Sequence, residues 1–220
     1  MGVGSDLVPR RTRLPRDLTS VRHDRQVPQK TLYTERLTLV PLADQHLEWE
    51  VELDSDPVVM RYLSGQASTR ADVEAGHVRR IAVAEKVDGL GFWVGLADDE
   101  FVGWWTLQPA HGPDQPDDPA VGDVGYRLLR HHWHRGLASE GAQELLRHGF
   151  DDVGLDRIIA QTFAVNARSR GVMERIGLTY VRTFPTSTTA PVEGASEGEV
   201  EYEMTRDHWE RGLGSVLPAF

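Results

Sequence analysis

Cysteine is absent from the 220 residues. That excludes disulfides, a thiolate nucleophile and Cys-ligated zinc. No apolar run approaches the ~20 residues that a membrane-crossing helix needs. The stretch where a secretory leader would carry its apolar segment, Val21 to Lys30, is polar. The expectation is a soluble, cytoplasmic protein with no membrane partner. Asparagine occurs once, at Asn166. What is present is ordinary for a globular chain: 40% hydrophobic and 26% charged residues. The length suffices for one domain with a full core, or for two small ones.

Positive charge is scarce and unevenly placed. Of 24 basic and 34 acidic side chains, seven and three fall in the first thirty residues, so the remainder carries a formal charge of −14. Such a body repels nucleic-acid phosphates and attracts cationic amines. An acidic surface that serves solubility alone is the other reading. Residues 1–30 hold three prolines and little apolar periodicity, and read as a flexible basic extension. It either touches an acidic partner or stays a solvated arm. One domain is expected over residues 31–212, followed by a tail at 213–220.

Arg36 to Leu42 alternates polar and apolar side chains, the pattern of a half-buried strand. Asp44 is placed to cap a helix carrying Leu47, Val51 and Leu53 on one face. Asp56-Pro57 restarts the chain as a short helix, with Pro57 suited to its first turn. Ser68 or Thr69 caps a longer helix to about Val87. Phe92 to Ala97 and Phe101 to Leu107 form a hairpin across Asp98-Asp99-Glu100. The adjacent Trp104 and Trp105 then face opposite sides, one toward the core. Pro109 to Pro119 reads as a Pro/Asp-rich loop outside the chemistry. A strand from Val121 to Leu129 and an amphipathic helix from Ala138 to Phe150 follow. Arg157 to Phe163 is strand-like, and Asn166 introduces a helix to Ile176 that Gly177 can end. Thr179 to Phe184 and Val200 to Thr205 read as a last strand pair around a mobile Ser/Thr/Gly/Glu/Pro loop. A short helix near Asp207 to Arg211 closes the fold. The strand–helix–strand unit over 121–163 requires a right-handed crossover between parallel neighbours. The hairpins require antiparallel pairs, so the class is α/β with a mixed sheet.

Between that strand and helix stands His131-His132-Trp133-His134-Arg135-Gly136-Leu137-Ala138-Ser139-Glu140. Gly136 and Ala138 lack bulk where the loop becomes a helix, so a ligand can approach the backbone. The first helical N–H groups have no intrahelical partner, and the helix dipole adds partial positive charge. That combination suits a phosphate; an ordinary strand-to-helix turn is the other reading.

The element order, with these residues, resembles the GNAT superfamily of acyl-CoA-dependent N-acetyltransferases. The family's loop pattern Q/R-x-x-G-x-G/A aligns with Trp133 to Ala138, with Trp at its first position. That departure is familiar in the branch resembling ribosomal-protein N-terminal acetyltransferases, where W-G-x-G-x-A precedes S/T-E; here His134 replaces the first Gly. Further branch features are Thr34-Glu35-Arg36-Leu37, Gly122-Asp123-Val124-Gly125-Tyr126 and Asn166-Ala167-Arg168-Ser169. Met173-Glu174-Arg175-Ile176-Gly177 and Glu201-Tyr202-Glu203-Met204 complete them. The match spans roughly residues 33–210, and shared order and spacing give it weight that no single motif has.

The resemblance implies a mostly antiparallel central sheet with one parallel, splayed strand pair, flanked by helices. It implies acetyl-CoA as cofactor, CoA as product, and a small-molecule or peptide amine as acceptor. Pantetheine would run along the strand edge at Tyr126 and Leu128. The pyrophosphate would sit over the amides of Arg135, Gly136, Leu137, Ala138 and Ser139 near His134, with Arg135 and Arg168 adding charge. Asp123 would be the base acting through water, and Ser169 the proton donor to the departing thiolate. Asn166 reads from the sequence as a helix cap, and the family adds a contact to pantetheine. A homodimer is a family expectation as well. A solvated carboxylate at Asp123 and a plain first-turn serine at Ser169 are the structural alternatives.

Three other signals carry less weight. His131, His132 and His134 lack a matching carboxylate or Cys, so no metal is expected. Gly194-Ala195-Ser196-Glu197-Gly198 spells a hydrolase elbow, but with neither strand before it nor helix after it. Trp49, Tyr62, Trp105 and the 185–199 loop are candidates to shape the acceptor pocket, against core packing for the aromatics and disorder for the loop. Two rival functions remain: a catalytically silent acyl-CoA sensor, and a partner-binding module using the basic extension.

Overall fold

Thr69 shows how the sequence sets the local structure. Its hydroxyl accepts from the Asp72 amide and the Asp72 carboxylate accepts from the Thr69 amide, a reciprocal cap on the 17-residue helix α3, Arg70–Lys86. The computed structural model describes residues 28–110, 112 and 114–213. The basic extension expected at 1–30 therefore lies outside the described residues apart from Pro28 to Lys30, as does the 213–220 tail beyond Leu213. Among the described residues no helix is long and apolar enough to cross a membrane.

The strands are β1 (Leu32–Tyr33), β2 (Thr38–Pro41), β3 (Gly91–Ala97), β4 (Glu100–Pro109), β5 (Val121–Leu128), β6 (Arg157–Phe163), β7 (Thr179–Phe184) and β8 (Glu199–Thr205). They form one sheet in the order β1-β2-β3-β4-β5-β6-β8-β7. Every pairing is antiparallel except β5 with β6, which run parallel only over Val121–Asp123 and Arg157–Ile159. Beyond Asp123 the two strands part, and among the described residues no strand pairs with that side of Val124 to Leu128.

Two helical layers cover the sheet. Helices α1 (Leu47–Asp54), α2 (Pro57–Met60) and α3 lie over the face that carries Val94, Phe101 and Trp104. Helices α4 (Leu137–Arg147) and α5 (Ala167–Arg175) pack on the opposite face with Trp105, Leu107, Ile158 and Tyr202. A final turn, α6, runs Arg206–His208. Asp56 accepts from the Val58 amide at 2.8 Å and Pro57 opens α2 as expected.

Several local expectations are corrected. Arg36 and Leu37 lie in the bend between β1 and β2, where the Thr34 amide bonds the Leu37 carbonyl. Asp44 does not cap α1. It sits inside a 3-10 turn whose N-cap is Ala43. The helix expected to run to Phe150 passes at His148–Val153 into a π-type turn, braced by His148 Nε2 on the Gly89 carbonyl at 2.7 Å. The 185–199 loop, expected to be mobile, makes contacts with the rest of the fold. It buries Val192, lays Pro191 against Gly65, and pairs Glu193 with Arg61.

Candidate active site

Where β5 and β6 part, a cleft of about 820 Å³ opens between the sheet halves. One wall is β5. Because alternate strand residues share a face, Asp123, Gly125 and Arg127 line up on one side, opposite Gln108, Thr106 and Trp104 of β4. Tyr126 and Leu128 face the other way, toward α4 and α5. The segment Val58 to Leu63 closes the cleft on the α2 side.

The mouth of α4 is built for an anion. Gly136 adopts φ 79°, a left-handed conformation, and no side chain caps the helix. The first intrahelical bond is Glu140 N–H to the Gly136 carbonyl, 3.0 Å, so the Leu137, Ala138 and Ser139 amides have no partner within the helix. His134 is also left-handed, φ 60°. The loop is held from outside: Arg36 donates to the Arg135 carbonyl at 2.9 Å and to the Glu140 carboxylate, which also accepts from the Thr34 hydroxyl at 2.6 Å. Arg168 lies over the Trp133 ring at 5.1 Å, while the Trp133 indole donates to the Leu128 carbonyl.

Asn166 caps α5, its side chain accepting from the Ser169 amide at 3.3 Å and donating to Thr162 Oγ1 at 3.0 Å. Tyr126 donates to the Ser169 carbonyl at 3.0 Å and lies 3.2 Å from the Ser169 hydroxyl. Burial pushes the Tyr126 phenol far above its ordinary range, and the Ser169 bond offsets this only in part, so the phenol keeps its proton at neutral pH.

Asp123 is not a freely solvated carboxylate. Gln115 Nε2 donates to it at 3.2 Å and to Gln161 Oε1 at 3.0 Å, and Gln161 in turn donates to buried Glu201 at 2.7 Å. Gln115 comes from the Pro/Asp-rich loop, so that loop reaches the Asp123 carboxylate. On the α2 side, Arg127 pairs with Asp54, and Arg80 bridges Asp54 to Glu50, which also meets His77. Burial pulls the Arg127 guanidinium below its ordinary value, with Asp54 pulling back, and burial pushes Glu50 up against Arg80 and His77.

Most of the sequence-derived candidates converge on the cleft. Asp123, Tyr126, Leu128, Asn166, Arg168 and Ser169 line it, as do His134 and Gly136 to Ser139, and Tyr62 stands in its α2 wall. Arg135 is not among the lining residues; its side chain donates to His132 Nδ1 at 3.0 Å. Two aromatics do not reach the cleft. Trp49 is stacked between His46 and Phe101. Trp105 is fully buried beneath α4, its indole donating to the Ala138 carbonyl; its neighbour Trp104 takes the cleft side. Ser196 sits in a 3-10 turn, Ala195–Glu197, rather than on a strand-to-helix elbow. Among the described residues, no three His, Asp or Glu side chains are grouped to hold a metal.

A splayed parallel pair with an uncapped helix mouth beside it has counterparts. Residues 36–179 match the model of the acetyltransferase (GNAT) domain. The chain belongs to the GNAT acetyltransferases. This GNAT enzyme is 40% identical over 186 residues to the FsC-acetyl coenzyme A-N(2)-transacetylase of Aspergillus fumigatus, covering 83% of this chain and 79% of the relative. A putative acetyltransferase structure from T. thermophilus superposes with a TM-score of 0.66 at 25% identity, covering 86% of this chain and 94% of that one. The fold is shared, at 15% identity and a TM-score of 0.65, with RimL, a ribosomal L7/L12 alpha-N-protein acetyltransferase solved with coenzyme A; 81% and 99% of the chains are covered. The protein is an acetyl-CoA-dependent N-acetyltransferase, and its mixed sheet with one parted parallel pair is the GNAT fold.

Proposed function

We propose that this enzyme acetylates the primary amine of a small molecule by direct attack in the cleft. The amides of Leu137 to Ser139 would hold the pyrophosphate, with Arg168 beside them, and the unpaired edge of Val124 to Leu128 would hold the pantetheine arm. Acetyl-CoA supplies the acetyl thioester. Asp123, held by Gln115, accepts the amine proton through a water as the N–C bond forms. The C–S bond then breaks, and Ser169, bonded to a protonated Tyr126, returns a proton to the thiolate. No enzyme nucleophile is needed, in keeping with a chain that has no cysteine.

The observation that carries the choice of a small acceptor is the walled α2 side of the cleft. Val58 to Leu63 lines it, and Arg61 of that segment is tied to Glu193 of the 185–199 loop. The relative at 40% identity is named for transfer to an N(2) nitrogen of FsC, which makes FsC the first acceptor to try. The test is CoA release from acetyl-CoA with FsC, a panel of small amines and a panel of N-terminal peptides. Turnover on small amines above that on peptides supports the reading; preference for peptides overturns it. A protein that binds acetyl-CoA but releases no CoA with any amine would be a silent acyl-CoA binder instead.

A further inference from the structure

Asp123 stands at the last paired position of β5. It lies opposite Ile159 of β6, and beyond it the two strands part. Gln161 lies two residues further along β6, so it shares the sheet face of Ile159 and Asp123. From Gln161 a row of directly opposed residues runs outward across the sheet, to Glu201 on β8 and then to Arg182 on β7. Glu201 is buried, and one of its oxygens, Oε2, accepts from Gln161 Nε2 at 2.7 Å and from Arg182 at 2.9 Å. Gln115 spans the gap that the strand ladder leaves: its Nε2 donates to Gln161 Oε1 at 3.0 Å and to Asp123 at 3.2 Å.

Each link fixes the direction of the next. A carboxylate paired with a guanidinium offers only acceptors, whereas a glutamine amide has a donor end and an acceptor end of nearly the same shape. Glu201 therefore selects the NH2 end of Gln161, which turns the Gln161 carbonyl toward Gln115. That carbonyl selects the NH2 end of Gln115, and the second hydrogen of the same group faces Asp123. From the other side the Gly112 amide donates to the Gln115 carbonyl at 2.9 Å, so both ends of the row agree. With Gln161 turned over, its NH2 would meet the NH2 of Gln115 and their bond would be lost. Turning Gln115 to restore it would give up Gly112 and set a carbonyl against the Asp123 carboxylate.

We infer that Glu201, with Arg182 behind it, is a positioning residue for Asp123: it sets the direction of two glutamine amides so that the carboxylate meets a hydrogen-bond donor at the fork of the sheet. The inference rests on the reading of Asp123 as the base. Glu201 and Arg182 do not line the cleft, and they act on Asp123 only through Gln161 and Gln115. The row holds the carboxylate in one orientation while it accepts the amine proton, and it does so from the outer half of the sheet, away from the cofactor edge of β5.

The test begins with a readout that needs no acceptor. The side-chain amide resonances of Gln115, assigned by nuclear magnetic resonance, should be displaced in Asp123→Asn and in Glu201→Leu, which removes the acceptor. They should hold in Glu201→Gln, whose carbonyl can stand where Oε2 stands, against Arg182. Turnover follows, with the amine of the panel above on which the wild type is fastest. Glu201→Leu should lower kcat about tenfold while KM for acetyl-CoA barely changes, and Glu201→Gln should keep most of the wild-type rate. In an Asp123→Asn background Glu201→Leu should cost nothing further. Gln161→Leu, which breaks the row one link nearer the base, carries the same expectations should Glu201→Leu fail to fold. A Gln115 amide unmoved in Glu201→Leu, an equal loss of kcat in the Asp123→Asn background, or Glu201→Gln as impaired as Glu201→Leu would overturn the inference. Asp123→Asn with undiminished kcat, or no turnover of any amine by the wild type, would overturn the reading of the chemistry instead. The Gln115 resonances alone then decide whether Glu201 positions the carboxylate.

Discussion

Arg36 and Glu140 stand 104 residues apart in the chain and meet through the Arg36 amide, at 2.8 Å, and its Nε, at 2.7 Å. The same guanidinium holds the Arg135 carbonyl. The bend after β1 is thereby tied to the first turn of α4, and the anion-binding loop is fixed from a distant part of the sequence. Because Arg36 is half exposed, solvent screening limits the stability of this tie to about 1–2 kcal/mol. Its larger effect is on geometry. Glu140→Ala is expected to weaken acetyl-CoA binding on the order of tenfold by letting the loop drift, measured by calorimetric titration beside a urea melt. Unchanged affinity would contradict this.

Glycines in and beside α4 and α5 separate by what surrounds them. A side chain at Gly141 would put its Cβ 2.5 Å from the Trp105 ring, so Gly141→Ala should cost about 1–3 kcal/mol through overpacking. Gly136→Ala should cost about 1–2 kcal/mol from its left-handed backbone alone. Gly171, inside α5 with open space around it, should do the reverse: Ala there gains about 0.5–1 kcal/mol. Urea midpoints for the three variants test the ordering.

Tyr126→Phe removes the phenol that faces the Ser169 hydroxyl while keeping the ring in place. The expected result is a kcat lowered roughly tenfold to hundredfold, with little change in KM for acetyl-CoA. Ser169→Ala should act alike, and the double variant should cost less than the two effects multiplied, since both groups serve one proton transfer. Independent effects would show that they do not share that step.

Asp152 contributes to stability against acid. Burial alone would raise it, but hydrogen bonds from Arg147, His148 and Lys30 outweigh burial and hold the carboxyl well below its ordinary 3.8. A folded-state pKa below the unfolded one contributes stability that is fully present above the unfolded value and is lost as pH falls through the folded one. Wild-type protein should therefore lose stability between about pH 5 and pH 2 more steeply than Asp152→Asn. Parallel urea midpoints across that range would refute the assignment.

The parts of the fold that local chemistry dictates were legible in the sequence. Thr69 and Asn166 cap helices where their side chains said they would, and Asp56-Pro57 opens a short helix, whereas Asp44 does not cap and the first alternating run forms a strand only over Thr38–Pro41. The GNAT motifs located the cleft because their glycines and helix start are contiguous. What was not legible depends on long-range register. Trp104 and Trp105 are neighbours, and only the β4 register, with its irregularity opposite Gly95, and the gap left by Gly141 decide which one is buried under α4. Gln115 reaches Asp123 from a loop with no periodicity to read. That Arg127 shares the cleft face with Asp123 could have been read, because it follows Asp123 by four on one strand.

On the proposed reading, the mouth of α4 and the parted edge of β5 together hold acetyl-CoA. Amide hydrogen exchange, followed with and without CoA, tests it most directly, because the Leu137, Ala138 and Ser139 amides lack intrahelical partners and should exchange fast in the free protein. Strong slowing at residues 137–139 and along 124–128 is expected when CoA is added. Slowing elsewhere with none at these two segments would contradict it.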